Sequence, residues 1–564
     1  MNPLLILIIG VVVVVVAILV FRLHAFLALI IAALFVAMLT SPGSVYQHVL
    51  NANSIRVDEN DRAGLVVRPR KNQKVIDGRV IILRKDDEGQ LVEIGEAKLT
   101  FQESDVNIFL ETGDTRKGIR LTSNDGSEFL IQRGDRFLHH TQMAEALAVS
   151  GKNIAERIGT GFGNTCLKIG IMIAMASIIG QCLMQSGAAE RIVLVLRQIL
   201  GEKNAPAAFI ASGFTLGIPV FFETVFYLMI PLGKALYLKT RQNYLLYVLA
   251  IIAGASMAHS LVPPTPGPLF VAQELGIDLG MAILCGLVVG AFTVTAGFTW
   301  ALFINSRITI PLRESADLDQ NALDEMAQRK PEDLPGLFGS LLPIAIPMVL
   351  LAGGTMFQTF FGNNNDASWA KQIEPVVQLL GNKDIALSIA ALCGILLLAS
   401  RPGVDRFKIS TTVQAAIADA GAIVLITAAG GAFGHVLRQT GIAGSIEELM
   451  PAGQASLIVI GFLICAVVRT AQGSSTVAMI TAVGVVAPLV AAQELTYHPV
   501  YIALAIGCGS KPISWMNDSG FWVISKMSGL TEGEMLKTNT IMGIIMGLTG
   551  LAVCLIGAKL LPLV

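Results

Sequence analysis

Charge is scarce in this chain. Only 14% of its 564 residues are charged, and 40 Lys and Arg nearly balance 41 Asp and Glu, for a net charge of -1. No basic face is available for nucleic acid. Cysteine is sparse too: Cys166, Cys182, Cys285, Cys393, Cys465, Cys508 and Cys554 all lie in apolar segments without metal-ligand spacing. They read as small packing residues rather than a disulfide framework or a metal site. No HExxH, GxSxG or Walker sequence is present, so neither an enzyme nor a cofactor is expected. The first apolar run, Asn2 to Val20, lacks a basic flank and a small-residue cleavage site, and a second run follows at once. It reads as a retained helix, not a signal peptide.

Apolar residues fill the space: 53% of the chain is hydrophobic, with a mean hydropathy of +0.66. That composition is a polytopic helical membrane protein in contact with lipid. Runs long enough to span lie near 3–20, 24–41, 163–185, 243–275, 279–303, 338–361, 384–399, 411–436, 499–526 and 539–561. Two of them are broken. Gly254 to Pro268 (GASMAHSLVPPTPGP) and Gly507 to Trp522 (GCGSKPISWMNDSGFW) put prolines and polar groups inside apolar sequence. Open backbone at membrane depth is tolerated only against protein or a water-filled cavity, so both stretches predict unwound helices lining a site. Two further apolar regions, 205–238 and 455–492, are interrupted centrally, by Gly217 to Pro219 and by Arg469 to Thr476, and read as re-entrant hairpins.

These landmarks recur at one offset. Ser510 and Ser514 follow Ser256 and Ser260 by 254 positions (510 − 256), and GHVLRQTGIAGSI from Gly434 follows GQCLMQSGAAERI from Gly180 by the same number. Duplicated halves of five crossings and one hairpin are predicted. Five is odd, so the second half is inverted. Fourteen Lys and Arg of the membrane part, from Arg22, Arg191 and Arg241 to Arg401, Lys526 and Lys537, then fall on one side, which the positive-inside rule makes cytoplasmic, with both termini outside; Arg438 and Lys371 fall on the other.

The predicted fold class is an all-α polytopic membrane protein of two inverted repeats with a small β-rich soluble insert. Residues 1–43 carry the first two helices; 44–140 form the polar, extracytoplasmic insert, with alternating runs such as Val80 to Leu83 and turn signals at 86–89 and 124–127. Residues 141–304 complete the first repeat, 305–335 are a cytoplasmic linker, and 336–564 form the second repeat. The second crossings of the two halves lie about 360 positions apart rather than 254, and the excess is the size of the insert.

The candidate site follows from polar groups at the breaks. Glu223, among apolar residues at the first hairpin tip, would cost roughly 2.5–3.5 kcal/mol facing lipid, so it is expected to face the cavity as a proton carrier. Its alternative is a carboxyl satisfied locally by helix N-termini or a hydroxyl. At the second tip, Gly473, Ser474, Ser475 and Thr476 offer hydroxyls and backbone N–H groups at a half-helix start, suited to a carboxylate. Arg469 offers a fork for the same group, or alternatively pairs with an acidic side chain. In the broken helices Thr265, Ser514, Asn517, Asp518 and His259 are candidates for substrate hydroxyls, a cation or a proton. Lys511 stands close enough in sequence to neutralise Asp518 and leave only a structural pair.

At IPVFFETVF (218–226), HSLVPPTPGP (259–268), RTAQGSSTVA (469–478), NDSGFW (517–522) and GLTEGEMLKT (529–538) the chain resembles the gluconate permease (GntP) family, within the ion transporter superfamily. The resemblance covers nearly everything outside 44–140. It implies a proton-coupled importer of gluconate-like sugar acids in a bacterial inner membrane, with an inverted-repeat fold. Two departures remove an imidazole each: Thr265 stands where such permeases read HPGP, and Trp515 stands where they carry a His before the VND-like segment. Glycerate, D-serine and other hydroxy acids therefore stay open as substrates, as does a homo-oligomeric state. Sodium coupling on the same fold, and a membrane ligand sensor without flux, are the competing readings.

Overall fold

The structure, a computed structural model, describes residues 3–21, 23–60, 64–68, 78–86, 90–99, 108–109, 119–122, 128–131, 135–201, 204–313, 334–361, 368–441, 455–491, 493, 495–516 and 518–563. Asn517, most of the 305–335 linker and the turn signals at 87–89 and 124–127 lie outside the described residues. The chain divides into two compact units, Met1–Gly10 with Ala33–Gly159 and His435–Ser445, and Val11–Ala32 with Thr160–Gly434 and Ile446–Val564.

The first unit carries the sheet. Its strands are β1 (Ile55–Asn60), β2 (Gly64–Arg68), β3 (Gly78–Lys85), β4 (Leu91–Leu99), β5 (Ile108–Phe109), β6 (Ile119–Thr122), β7 (Glu128–Ile131) and β8 (Arg136–His139). Six are antiparallel neighbours in the order β4-β3-β8-β1-β2-β5, and β6 pairs with β7. The apolar run of β3 supplies Ile81 and Leu83, which pack with Leu91, Leu138, Leu50 and Ala146 into one core. Leu50 and Ala146 come from the helices Pro42–Asn53 and His140–Ser150, which lie together against the sheet. Gln47 joins the layers: its amide accepts from the Leu91 N–H at 2.8 Å and donates to the Leu91 carbonyl at 3.0 Å, satisfying an edge strand as a neighbouring backbone would. Asp135, its side chain 2% exposed, takes both forks of Arg84 at 2.7 and 2.8 Å. This bidentate pair holds the Arg84 guanidinium above its usual range.

Helices dominate the rest. Among the described residues six are long and apolar enough to cross a membrane: Ile154–Gln185, Tyr244–Glu274, Leu279–Asn305, Leu337–Gln358, Arg406–Arg438 and Glu532–Leu560. Two bent pairs, Ala25–Leu39 with Pro42–Asn51 at 97° and Gln372–Leu380 with Lys383–Ala399 at 64°, bring the number up to eight if each is one span. This is fewer than the ten crossings expected from apolar runs. A crossing needs about 20 residues of helix, whereas the helices in the runs at 3–20 and 499–526 are shorter, Pro3–Leu19 in the first and Val500–Gly509 with Ser519–Ser528 in the second. The amphipathic helices Ala188–Leu200 and Ser368–Leu380 were not foreseen, because a narrow apolar stripe leaves no long run.

Small residues fix the packing around the first break. The helices Ala205–Leu216 and Tyr244–Leu261 approach so closely that a Cβ on Gly254 would stand 2.3 Å from the Ile210 carbonyl oxygen. Backbones come this near only where a side chain is missing. The first expected tip lies between Ala205–Leu216 and Phe222–Thr240, the second between Ala455–Gln472 and Ser475–Ala491. The broken helices are Tyr244–Leu261 with Pro266–Glu274, and Val500–Gly509 with Ser519–Ser528.

Candidate functional site

Unwinding frees carbonyls, and side chains of the second unit satisfy them. At the first break the Thr265 hydroxyl is recorded 2.8 Å from the His259 carbonyl and 2.9 Å from that of Val262. Pro266 and Pro268 then begin the next helix, where a missing N–H costs nothing. At the second break the Ser510 carbonyl accepts from Arg469 Nε at 3.1 Å and from Ser475 Oγ at 3.2 Å, and the Ser514 carbonyl accepts from the Thr540 hydroxyl. The Ser510 hydroxyl lies 3.2 Å from that of Ser260, so the two breaks touch.

Between them lies a cavity of about 270 Å³. That is near the lower end of ligand pockets, about 300 Å³, and leaves room for a small metabolite. Of the residues singled out in the sequence it brings together Glu223, His259, Arg469, Gly473, Ser474, Ser475, Thr476, Ser514 and Asp518. Thr265 does not line it: its hydroxyl is turned back into the break. Asn517 lies outside the described residues. Among the other lining residues, Ile423, Ile426, Thr427 and Asn539 were not marked by the sequence. The first three lie in the long helix Arg406–Arg438, where no proline or helix break would have signalled them. Asn539 sits in a π-helical turn, Leu536–Thr540, where the polar run Lys537 to Thr540 was a usable signal. Asp419 meets Gln181 and His435 meets Gln439, each at 3.1 Å.

Three helix N-termini contribute to this wall, those of Phe222–Thr240, Ser475–Ala491 and Ser519–Ser528. Each presents unpaired N–H groups and partial positive charge. The first has Glu223 in its first turn. The third is capped by Asp518, whose Oδ1 accepts from Gly520 N at 2.9 Å. The second has only Ser474, whose hydroxyl accepts from Val477 N at 3.3 Å, so its positive end is uncompensated. Gly473 (φ +78°) makes the turn into that helix, and the Thr476 hydroxyl faces the cavity with no hydrogen bond among the described residues.

The charged groups sort themselves by contact. Arg469, 5% exposed, donates from Nη2 to Asp518 Oδ2 and from Nε to the Ser510 carbonyl, while Nη1 is buried without a partner. Asp518 Oδ2 also accepts from Ser514 Oγ at 2.5 Å. Asp518 is thus engaged at both oxygens. Glu223 makes no ion pair among the described residues. His259 stacks edge-on to Phe221, centroids 6.0 Å apart, with Nδ1 buried and unpartnered. Lys511 joins the lining rather than a salt bridge with Asp518.

Comparison with known proteins agrees across most of the chain. The model of the GntP family permeases matches residues 138–560, a span that begins after β1 to β7. The chain is 31% identical over 412 residues to an uncharacterized permease of Haemophilus influenzae, covering 72% of this chain and 84% of that one. It is 30% identical over 413 residues to the low-affinity gluconate transporter of Escherichia coli K12, covering 72% and 89%. It is 31% identical over 408 residues to a gluconate permease of Pseudomonas aeruginosa, covering 72% and 88%. Among solved structures, the YdaH transporter of Alcanivorax borkumensis shares the fold with a TM-score of 0.51 at 14% identity, over 79% of this chain and 94% of that one.

Proposed function

The chain belongs to the GntP family of permeases, and from that premise we propose that it imports gluconate or a related small hydroxycarboxylate together with a proton across the bacterial inner membrane. It is a multi-pass membrane protein, not a member of a catalytic family. The observation that carries the reading is the cavity itself. A carboxylate is matched by the uncompensated N-terminus of Ser475–Ala491 and by the hydroxyls of Ser474 to Thr476, the charge of Arg469 being taken by Asp518. The substrate's hydroxyls then face Ser514, His259 and Asn539.

Of the two carboxylates, Glu223 carries the proton and Asp518 neutralises Arg469. The division follows from contacts: protonating Asp518 would strip Arg469 of its partner, whereas Glu223 has no ion pair to lose. Proton transfer at a cavity-facing carboxylate needs only access from each side in turn.

Alternating access is read from the duplicated architecture. Moved on by 254 positions, the helices Ile154–Gln185, Ala205–Leu216, Phe222–Thr240, Pro266–Glu274 and Leu279–Asn305 fall on Arg406–Arg438, Ala455–Gln472, Ser475–Ala491, Ser519–Ser528 and Glu532–Leu560, to within a few residues. That correspondence supports two repeats, inverted relative to each other, each bearing a re-entrant hairpin that reaches the midplane. In this arrangement the 44–140 insert stands outside and the 305–335 linker faces the cytoplasm.

Counterflow of labelled gluconate in proteoliposomes tests the substrate. Purified protein should exchange external label against internal unlabelled gluconate, and small hydroxy acids should compete. An absence of exchange with gluconate, glycerate and D-serine alike would remove the reading and favour a sensor without flux.

A further inference from the structure

We propose that Lys511 anchors the substrate's carboxylate and exchanges partners with Glu223, so that one monoanion enters with one proton. The inference rests on the transport reading above and assigns the charge balance of that same site.

The cavity holds two cations, Arg469 and Lys511, and two carboxylates, Glu223 and Asp518. Arg469 and Asp518 are spent on each other. Asp518 already accepts from Arg469, Ser514 and the Gly520 N–H and makes no salt bridge with Lys511 among the described residues. What remains is Lys511, 9% exposed, whose ammonium makes neither hydrogen bond nor salt bridge among the described residues, and Glu223 in the same wall. Lys511 is attracted by Glu223 and Asp518 and repelled by Arg469; His259, Cys508 and Cys465 are the other titratable groups that sense it.

A buried ammonium without an anion is costly. In the empty site the ionised Glu223 supplies the counter-charge from across the cavity. When Glu223 takes a proton on its carboxylate oxygen, the site is left with one net positive charge at Lys511. A monocarboxylate restores neutrality, its second oxygen on the Ser474–Thr476 helix end. On the other side of the membrane the proton leaves Glu223, the carboxylate regains Lys511, and the substrate is displaced. Empty and loaded sites have the same net charge, so the cycle moves no net charge. A dicarboxylate would bring a second negative charge with no cation to receive it. The site is therefore specific for monoanionic hydroxy acids.

The test uses wild-type protein in liposomes with labelled gluconate. A pH gradient at zero potential should drive influx, and a valinomycin-set, inside-negative potential at equal pH should leave it unchanged. Influx driven by that potential alone would overturn the proposal. In detergent, Lys511→Gln should weaken gluconate binding by roughly 10- to 100-fold, the loss of one charge-assisted contact. Glu223→Gln should bind gluconate without the wild type's dependence on pH. Wild-type affinity in Lys511→Gln would overturn the proposal while leaving gluconate transport in place. Should Lys511→Gln fail to fold, Lys511→Arg decides with the potential measurement: it should retain binding, and a loss equal to that of a neutral residue would refute a role for the charge. If wild-type protein shows no gluconate counterflow, the transport reading fails and this inference fails with it.

Discussion

Replacing Asp518 with Asn should destabilise the protein far more than an isosteric change suggests. Asp518 and Arg469 are 7% and 5% exposed, and the pair lies beside a second cation, Lys511. Asn keeps an oxygen for the Gly520 N–H, so the cap of Ser519–Ser528 survives. The charge facing Arg469 is what disappears. Removing one partner of a buried pair costs about 3–5 kcal/mol, because the other charge stays buried and uncompensated. Adding Arg469→Gln should recover much of that loss, since two amides can bond to each other and no charge is stranded. The assay is the thermal unfolding of all four proteins of the cycle in detergent. The single variants should be the least stable, with the double variant between them and wild type. An Asp518→Asn protein as stable as wild type, or a double variant whose losses simply add, would refute the pairing and return Asp518 to candidacy as the proton site.

Glu223→Gln should lose proton-driven accumulation while retaining substrate exchange, measured as counterflow, because exchange returns a loaded carrier and needs no net proton release; full accumulation would clear Glu223 of the role. Gly254→Ala should lower thermal stability by about 1–3 kcal/mol, because its new methyl group would stand 2.3 Å from the Ile210 carbonyl oxygen and force two helices apart. Asp278 and Glu532 are exposed, begin corresponding helices and lie 254 positions apart (532 − 278). Cysteines placed there should be labelled from outside at 278 and from the cytoplasm at 532, and labelling of both from one side would rule out inversion.

Much of this was legible before any coordinates. Prolines and hydroxyls inside apolar sequence marked both breaks, because lipid tolerates open backbone only where something else receives its hydrogen bonds. What those groups do for one another was not legible. Arg469 and Asp518 are 49 residues apart on different elements, and nothing local says that they meet. Lys511, close to Asp518 in sequence, and Arg469 were both possible partners of a carboxylate, and only the fold shows that Arg469 makes the ion pair with Asp518. Thr265 looked available for substrate, but a hydroxyl at the end of a broken helix is drawn to the carbonyls the break leaves free. The wall contributed by Ile423, Ile426 and Thr427 belongs to an apolar helix whose sequence distinguishes no face. In the first unit the alternating strands were readable, whereas the Gln47 bridge to Leu91 depends on a helix and a strand 44 residues apart.

The most direct test is accumulation against a gradient. Wild-type protein in liposomes, alkaline inside and free of sodium, should concentrate labelled gluconate or the hydroxy acid that best competes with it, and should release it when an uncoupler collapses the pH difference. Accumulation that needs sodium and ignores the pH difference would contradict proton coupling at Glu223.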